Sequence, residues 1–141
     1  MKKYSIFVLS LAVAFLFAYA FSQAEKKEAA QVDAKAALQQ SIENGKKLFM
    51  DASLGTSGTS CNSCHIEGGM KENKMGDMTV KAFDNLNAQY PKYFPMTKKV
   101  MTLDQVVNLC ITNALKGEAL SWDDQRLADL VAYITSVKAE K

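Results

Sequence analysis

Histidine is nearly absent from this chain: His65 is the one imidazole in 141 residues. Ligation of a metal by two histidines of the chain is therefore excluded. A zinc site would need a second pair of Cys or His ligands after Cys61 and Cys64, and only Cys110 follows. Proline occurs twice, at Pro91 and Pro95; each disfavours helix in the residue before it, so the chain must turn or extend there. No segment alternates with the period of a strand, no unit repeats, and no glycine cluster matches a phosphate cradle. An excess of positive charge is lacking too. The formal net charge is +2, and without Lys2 and Lys3 the 17 basic residues fall to 15, equal to the 15 acidic ones. The footprint of a nucleic-acid binder is not there.

A chain of this length buries one core and makes one ordinary domain. At its start, Lys2 and Lys3 precede an apolar run from Ile6 to Phe21, with small residues at Ala18-Tyr19-Ala20 and Ser22-Gln23-Ala24. This is the three-part layout of a secretory signal. Residues 1–24 read as a signal peptide cleaved after Ala24, residues 25–32 as a flexible lead-in, and residues 33–141 as the folded domain. The competing reading keeps Tyr4 to Ala24 as a membrane anchor, which just reaches the roughly 20 apolar residues that cross a bilayer. No cysteine lies near this boundary, so a lipid-modified N-terminal cysteine is excluded.

The chain is organised around Cys61-Asn62-Ser63-Cys64-His65. Two thiols three positions apart can each add to one vinyl group of a haem, while the imidazole directly after the second binds its iron; this is the c-type haem attachment pattern. One covalent haem c is the expected cofactor, with Cys61 and Cys64 as thioether residues and His65 as the proximal axial ligand. The competing readings are a zinc half-site, a local disulfide or a redox pair, and a thioredoxin-type pair would lie near a βαβ pattern and have no use for the histidine. With two thiols consumed, Cys110 is the odd thiol of an exported protein.

From Asp33 onward, Ala34, Ala37, Leu38, Ile42, Gly45, Leu48 and Phe49 recur at three- and four-residue steps and predict an amphipathic helix. Gly45 costs about 1 kcal/mol there relative to Ala, which implies close approach of another helix. Leu54 to Ser60 is a loop rich in Gly, Ser and Thr, and the motif follows as a short turn closed by Gly68-Gly69. Thr79 to Ala88 predicts a short helix with Val80, Phe83 and Leu86 on one side. Thr102 and Gln105 form a capping box ahead of a helix whose Leu103, Val106, Val107, Cys110, Ile111, Ala114 and Leu115 share one stripe, ended by Gly117. Cys110 is thereby predicted to face the interior. A second capping box, Ser121 to Asp124, predicts a last helix with Leu127, Leu130, Val131, Ile134 and Val137 on one face.

A first helix with Gly45 and Phe49, then Cys-x-x-Cys-His, then a last helix with Leu130 and Tyr133 resembles the class I cytochromes c over nearly the whole of residues 33–141. The resemblance implies an all-α fold of three to five helices around one covalent haem, with the first and last helices crossing at Gly45, and assembly in the periplasm. Members usually take the distal ligand from a Met in the loop before the last helix, but Leu103 to Lys141 holds none. Met70, Met75, Met78, Met96, Met101, Cys110, Lys116 or an open position remain. Asn108-Leu109-Cys110, Leu115-Lys116-Gly117 and Leu120 resemble the corresponding stretch of haem domains in thiosulfate dehydrogenases and related sulfur-oxidation cytochromes, where a Cys ligates the iron. This implies Cys110 as the distal ligand, with Met101 and Met96 as the alternatives. A thioether raises the reduction potential, whereas an anionic thiolate stabilises ferric iron.

The expected function is periplasmic electron transfer by a single haem, a carrier rather than an enzyme. The alternatives are the haem subunit of a thiosulfate-oxidising system, which needs a partner because the family enzymes pair two haem domains, and a small-ligand-binding cytochrome. Redox proteins are the expected partners, docking transiently on the stretch where Lys71, Lys74, Lys81, Lys92, Lys98 and Lys99 face only Glu72, Asp77 and Asp84. Tyr90, Tyr93 and Lys98 are offered as partners of the haem propionates.

Overall fold

The computed structural model describes residue 31 and residues 33–139, so the expected signal peptide and almost all of the lead-in lie outside the described residues. The chain divides into two compact units, Met1–Ala37 and Leu38–Lys141. In the first, residues 31 and 33–37 are helical and exposed. In the second, helix α1 covers residues 38–50. A 3₁₀ turn at Ala52–Leu54 leads to a one-turn helix α2 (Cys61–Cys64), a further 3₁₀ turn (Glu67–Gly69) and strands β1 (Asn73–Met75) and β2 (Met78–Val80). The short α3 (Leu86–Gln89), strands β3 (Lys92–Phe94) and β4 (Lys99–Met101), and helices α4 (Leu103–Asn113) and α5 (Gln125–Ser136) complete it.

The apolar stripe of α1 is buried only toward its end: Leu38 is 56% exposed and Phe49 1%. Phe49 joins Ile111 of α4 and Leu130 of α5 in one core cluster, all three essentially sealed from water. Each such side chain contributes about 1.5–3 kcal/mol by its burial, so this seam is a substantial part of the unit's core. The predicted close approach of helices occurs at Gly45. A Cβ there would collide with the backbone carbonyl of Asp129 and lie 2.8 Å from Tyr133 Cβ, both on α5. The contact is reinforced by Asp129, which is buried and whose Oδ1 accepts from Ser41 Oγ at 2.6 Å and from Gln125 Nε2 at 2.8 Å.

Helix α4 begins with the expected capping box, in which Thr102 N–H donates to Gln105 Oε1 at 3.1 Å. Helix α5 begins three residues later than expected. Ser121 is not its cap; Asp124 is, its carboxylate accepting from Arg126 N–H at 2.9 Å. The segment between the two helices is held by Asn108, whose amide donates to Leu120 O at 2.9 Å and accepts from Leu120 N–H at 2.8 Å.

Two expectations are corrected between the motif and α4. The unit is mostly helical but not all-α, because it contains two antiparallel hairpins, β1 with β2 and β3 with β4. In the first, Asn73 pairs with Val80 and Met75 with Met78; in the second, Lys92 pairs with Met101 and Phe94 with Lys99. Strands of three residues are too short to show an alternating pattern over the window that detects one. The Gly76-Asp77 pair between β1 and β2 is nonetheless a two-residue hairpin signal, and Gly76 has the left-handed φ of +62° that such a turn uses. The single helix expected over Thr79 to Ala88 does not form. Val80 belongs to β2, and Asn85, left-handed at φ 46°, starts the shorter α3.

Candidate haem site

The one-turn α2 sets Cys61 and Cys64 a helical turn apart, and His65 closes it by donating its N–H to Cys61 O at 2.9 Å. Ser60 N–H donates to Ser63 Oγ at 3.0 Å at the helix start. The turn is then tied down from four directions. Asn62 Oδ1 accepts from Gly68 N–H at 2.8 Å, Asn73 Nδ2 donates to Cys64 O at 3.0 Å, Tyr133 OH donates to Gly68 O at 3.0 Å, and Phe83 N–H donates to Gly69 O at 2.7 Å. Gly69 has φ +87°, and a Cβ on it would run into the Phe83 ring. Only glycine brings the chain around His65 with Phe83 this near.

The His65 ring is held by aromatic packing, its centroid 4.6 Å from that of Phe83 and 6.4 Å from that of Phe49. Its Nδ1 is buried with no hydrogen-bond partner. Burial lowers the His65 pKa, because the charged imidazolium is the form that loses solvation. The neutral ring, the form that binds metals, is favoured.

His65, Cys61 and Cys64 line a cavity of about 610 Å³ whose wall also includes Leu103, Val106, Val107 and Cys110 of α4, with Phe49, Phe83, Leu86 and Ile134 deeper in. This is within the range of roughly 300–1,000 Å³ typical of cofactor sites, mostly apolar with few polar groups. Cys110, expected to face the interior, faces this cavity rather than packed core. It is exposed, but exposed into the cavity, with protein around it. Burial raises the Cys110 pKa, and the Cys64 thiol raises it further. Burial pushes Cys61 up to about 11, with Cys110 and Cys64 both adding to the shift. The thiols that were 49 positions apart in sequence thus feel one another across the same space.

Neither Met96 nor Met101 lines this cavity. Met96 is 82% exposed between β3 and β4, and Met101 Sδ accepts from Thr97 Oγ1 at 3.2 Å. Met70, Met75 and Met78 are exposed on or before the first hairpin, and Lys116, with φ +58°, lies in the turn after α4; none of them lines the cavity. Of the three residues offered to the propionates, Tyr90 lines it, while Tyr93 and Lys98 do not. The wall also includes Lys81, Asp84 and Lys92, which the sequence places only in the expected docking stretch, and Gln89 and Phe94, which it does not single out. Lys92 and Phe94 stand two apart on β3, the spacing that shares one face of a strand, but three residues leave no period to read from the sequence.

An apolar cavity, two thiols on one helical turn, a neutral imidazole with an orphaned buried nitrogen beside them and a further thiol in the wall fit a covalently attached haem. Fold and site together define a c-type cytochrome domain. Residues 44–140 match the family model described as SoxA/TsdA, cytochrome c domain, and the chain belongs to that family; its cofactor is a covalent c-type haem. Among similar curated proteins is the thiosulfate dehydrogenase of Allochromatium vinosum, 26% identical over 105 residues, covering 70% of this chain and 38% of that protein. The L-cysteine S-thiosulfotransferase subunit SoxA of Rhodovulum sulfidophilum is 29% identical over 96 residues, covering 68% of this chain and 29% of its own length. The matched region thus spans only 38% and 29% of the lengths of these two relatives. Among solved structures, SoxXA from P. pantotrophus shares the fold, with a TM-score of 0.55 at 23% identity over 68% of this chain and 31% of that one. No helix of the described residues is long and apolar enough to cross a membrane.

Proposed function

We propose that this chain is a one-electron carrier domain for the oxidation of sulfur compounds, with Cys61 and Cys64 as the thioether residues and His65 and Cys110 as the axial ligands. The observation that carries this reading is the meeting of Cys110 with Cys61, Cys64 and His65 in the wall of one cavity, while Met96 and Met101 stay out of it. The haem, when bound, supplies one-electron exchange. The chain supplies the rest. Phe49 and Phe83 orient the His65 ring, burial keeps that ring neutral, and Leu103, Val106 and Val107 exclude water from the side on which Cys110 stands.

Cys110 would hold the iron as its thiolate, although burial by itself favours the protonated thiol. With His65 and Cys110 both holding the iron, a bound haem would have only oxidation and reduction left to it, which favours a carrier over an enzyme. The matches to a thiosulfate dehydrogenase and to SoxA support a place in sulfur oxidation, and the SoxXA structure supports a second haem protein as the partner. The signal layout of residues 1–24 supports work in the periplasm.

Thiosulfate turnover by the purified, haem-loaded chain tests this function. The chain should exchange single electrons with small mediators and give no steady turnover of thiosulfate alone. Sustained turnover without a partner would make it an enzyme, and a spectral change of the reduced protein on adding carbon monoxide would make it a small-ligand-binding cytochrome.

A further inference from the structure

Lys92 differs from the other lysines of the basic stretch. It is partly buried on β3, and its Nζ lies 4.5 Å from the Tyr90 ring centroid and 5.5 Å from that of Phe94. The two rings are stacked, 6.4 Å apart at 24°. All three side chains line the haem cavity. The acid in that wall is Asp84, and among the described residues the ion pairs are Lys71 with Glu67 and Arg126 with Asp124. Lys92 is in neither. Two aromatic faces attract a cation by about 0.5–1 kcal/mol each at partly exposed sites, which fixes where the ammonium sits but leaves its charge unmatched.

A haem brings two carboxylates on its propionate arms, and an apolar wall that takes up the ring must find counter-charge for them. We propose that Lys92, positioned by Tyr90 and Phe94, is a counter-ion for a haem propionate and thereby raises the reduction potential. A cation there would offset the negative charge of the propionate, and so would favour the reduced form, which carries one electron more. The inference rests on the haem reading but not on which residue is the distal ligand.

The test compares midpoint potentials and ferric electron paramagnetic resonance spectra of the haem-loaded full chain with those of Lys92→Gln, Lys92→Met, Lys92→Arg and Lys98→Gln. Lys92→Met keeps an apolar stem over the two rings and separates charge from packing. Loss of the charge should weaken reduction at least threefold in both Gln and Met variants, about 28 mV for a one-electron couple at 59 mV per tenfold. Lys92→Arg and Lys98→Gln should stay near wild type, and the resonance signals should be unchanged throughout. Unchanged potentials in Lys92→Gln and Lys92→Met would overturn the proposal, as would an equal fall in Lys98→Gln, which marks a general surface-charge effect. Altered resonance signals in the Lys92 variants would assign the residue to the fold instead. A dependence of the potential on Lys92 only when thiosulfate is added would make it a seat for a sulfur oxyanion and overturn the propionate assignment. A wild-type spectrum without thiolate character would sink Cys110 as ligand and leave this test standing.

Discussion

Replacing Gly45 by alanine sets two effects of opposite sign against each other. In an exposed helix interior the change would stabilise by about 1 kcal/mol through helix propensity. At this position the new methyl meets the Asp129 carbonyl and comes within 2.8 Å of Tyr133 Cβ, and the atoms in its way belong to the backbone and first side-chain carbon of α5. Neither can swing aside. The two helices must separate, loosening Phe49, Leu130 and Tyr133 and stretching the Ser41–Asp129 hydrogen bond of 2.6 Å. Overpacking of this kind costs about 3 kcal/mol at the upper end of its usual range, so a net loss of about 2 kcal/mol remains once the gain of about 1 is subtracted. For a domain of about 100 residues that lowers the melting temperature by about 10 °C. Circular dichroism at 222 nm on the haem-loaded protein reads this directly. Gly58→Ala is the contrast: its φ is +72° but a Cβ there meets nothing within 4 Å, so the cost is the backbone strain alone, about 1 kcal/mol. A Gly45→Ala protein as stable as wild type, or a Gly58→Ala protein that loses more, would refute the reasoning.

Asn108→Ala removes both hydrogen bonds to Leu120 and should cost about 2 kcal/mol at about 1 kcal/mol each, measured by urea denaturation; a loss below a few tenths would show that the α4–α5 connection holds without them. Tyr133→Phe deletes the donor to Gly68 O and should cost about 1–2 kcal/mol. The penalty depends on pH with a definite sign. Burial raises the Tyr133 pKa above its ordinary 10.0, so the contribution of the hydroxyl is fully present below pH 10 and is lost as pH rises through the folded value. The stability gap between wild type and Tyr133→Phe should narrow above pH 10, and a gap that widens there would contradict the assignment.

How much was legible in the sequence varied with the length of the pattern. Helices α1, α4 and α5 carry three or more apolar positions at helical spacing, and Gly45 by itself marks a close helix approach. Three residues cannot establish a strand period, so of the two hairpins only the first is marked, by Gly76-Asp77 at its turn, and Ser121 and Asp124 both satisfy the spacing of a cap, so the sequence alone does not choose where α5 starts. Cys61, Cys64 and His65 are adjacent in sequence and so were read together. The placement of Cys110 depends on the cavity. Its position on the apolar stripe of α4 says that it points inward, but inward at that turn of the helix is an opening, not packed core. In the sequence Lys92 is one lysine of the docking stretch, and only the fold brings it beside Tyr90 and Phe94 in the cavity wall.

The reading of this chain as a thiolate-ligated cytochrome turns on Cys110. The ferric low-spin electron paramagnetic resonance spectrum of the haem-loaded protein, recorded beside Cys110→Ala and Met101→Ala, addresses it directly. Cys110→Ala should abolish the wild-type signal while Met101→Ala keeps it. A Cys110→Ala spectrum identical to wild type, or loss of the signal in Met101→Ala alone, would contradict the assignment.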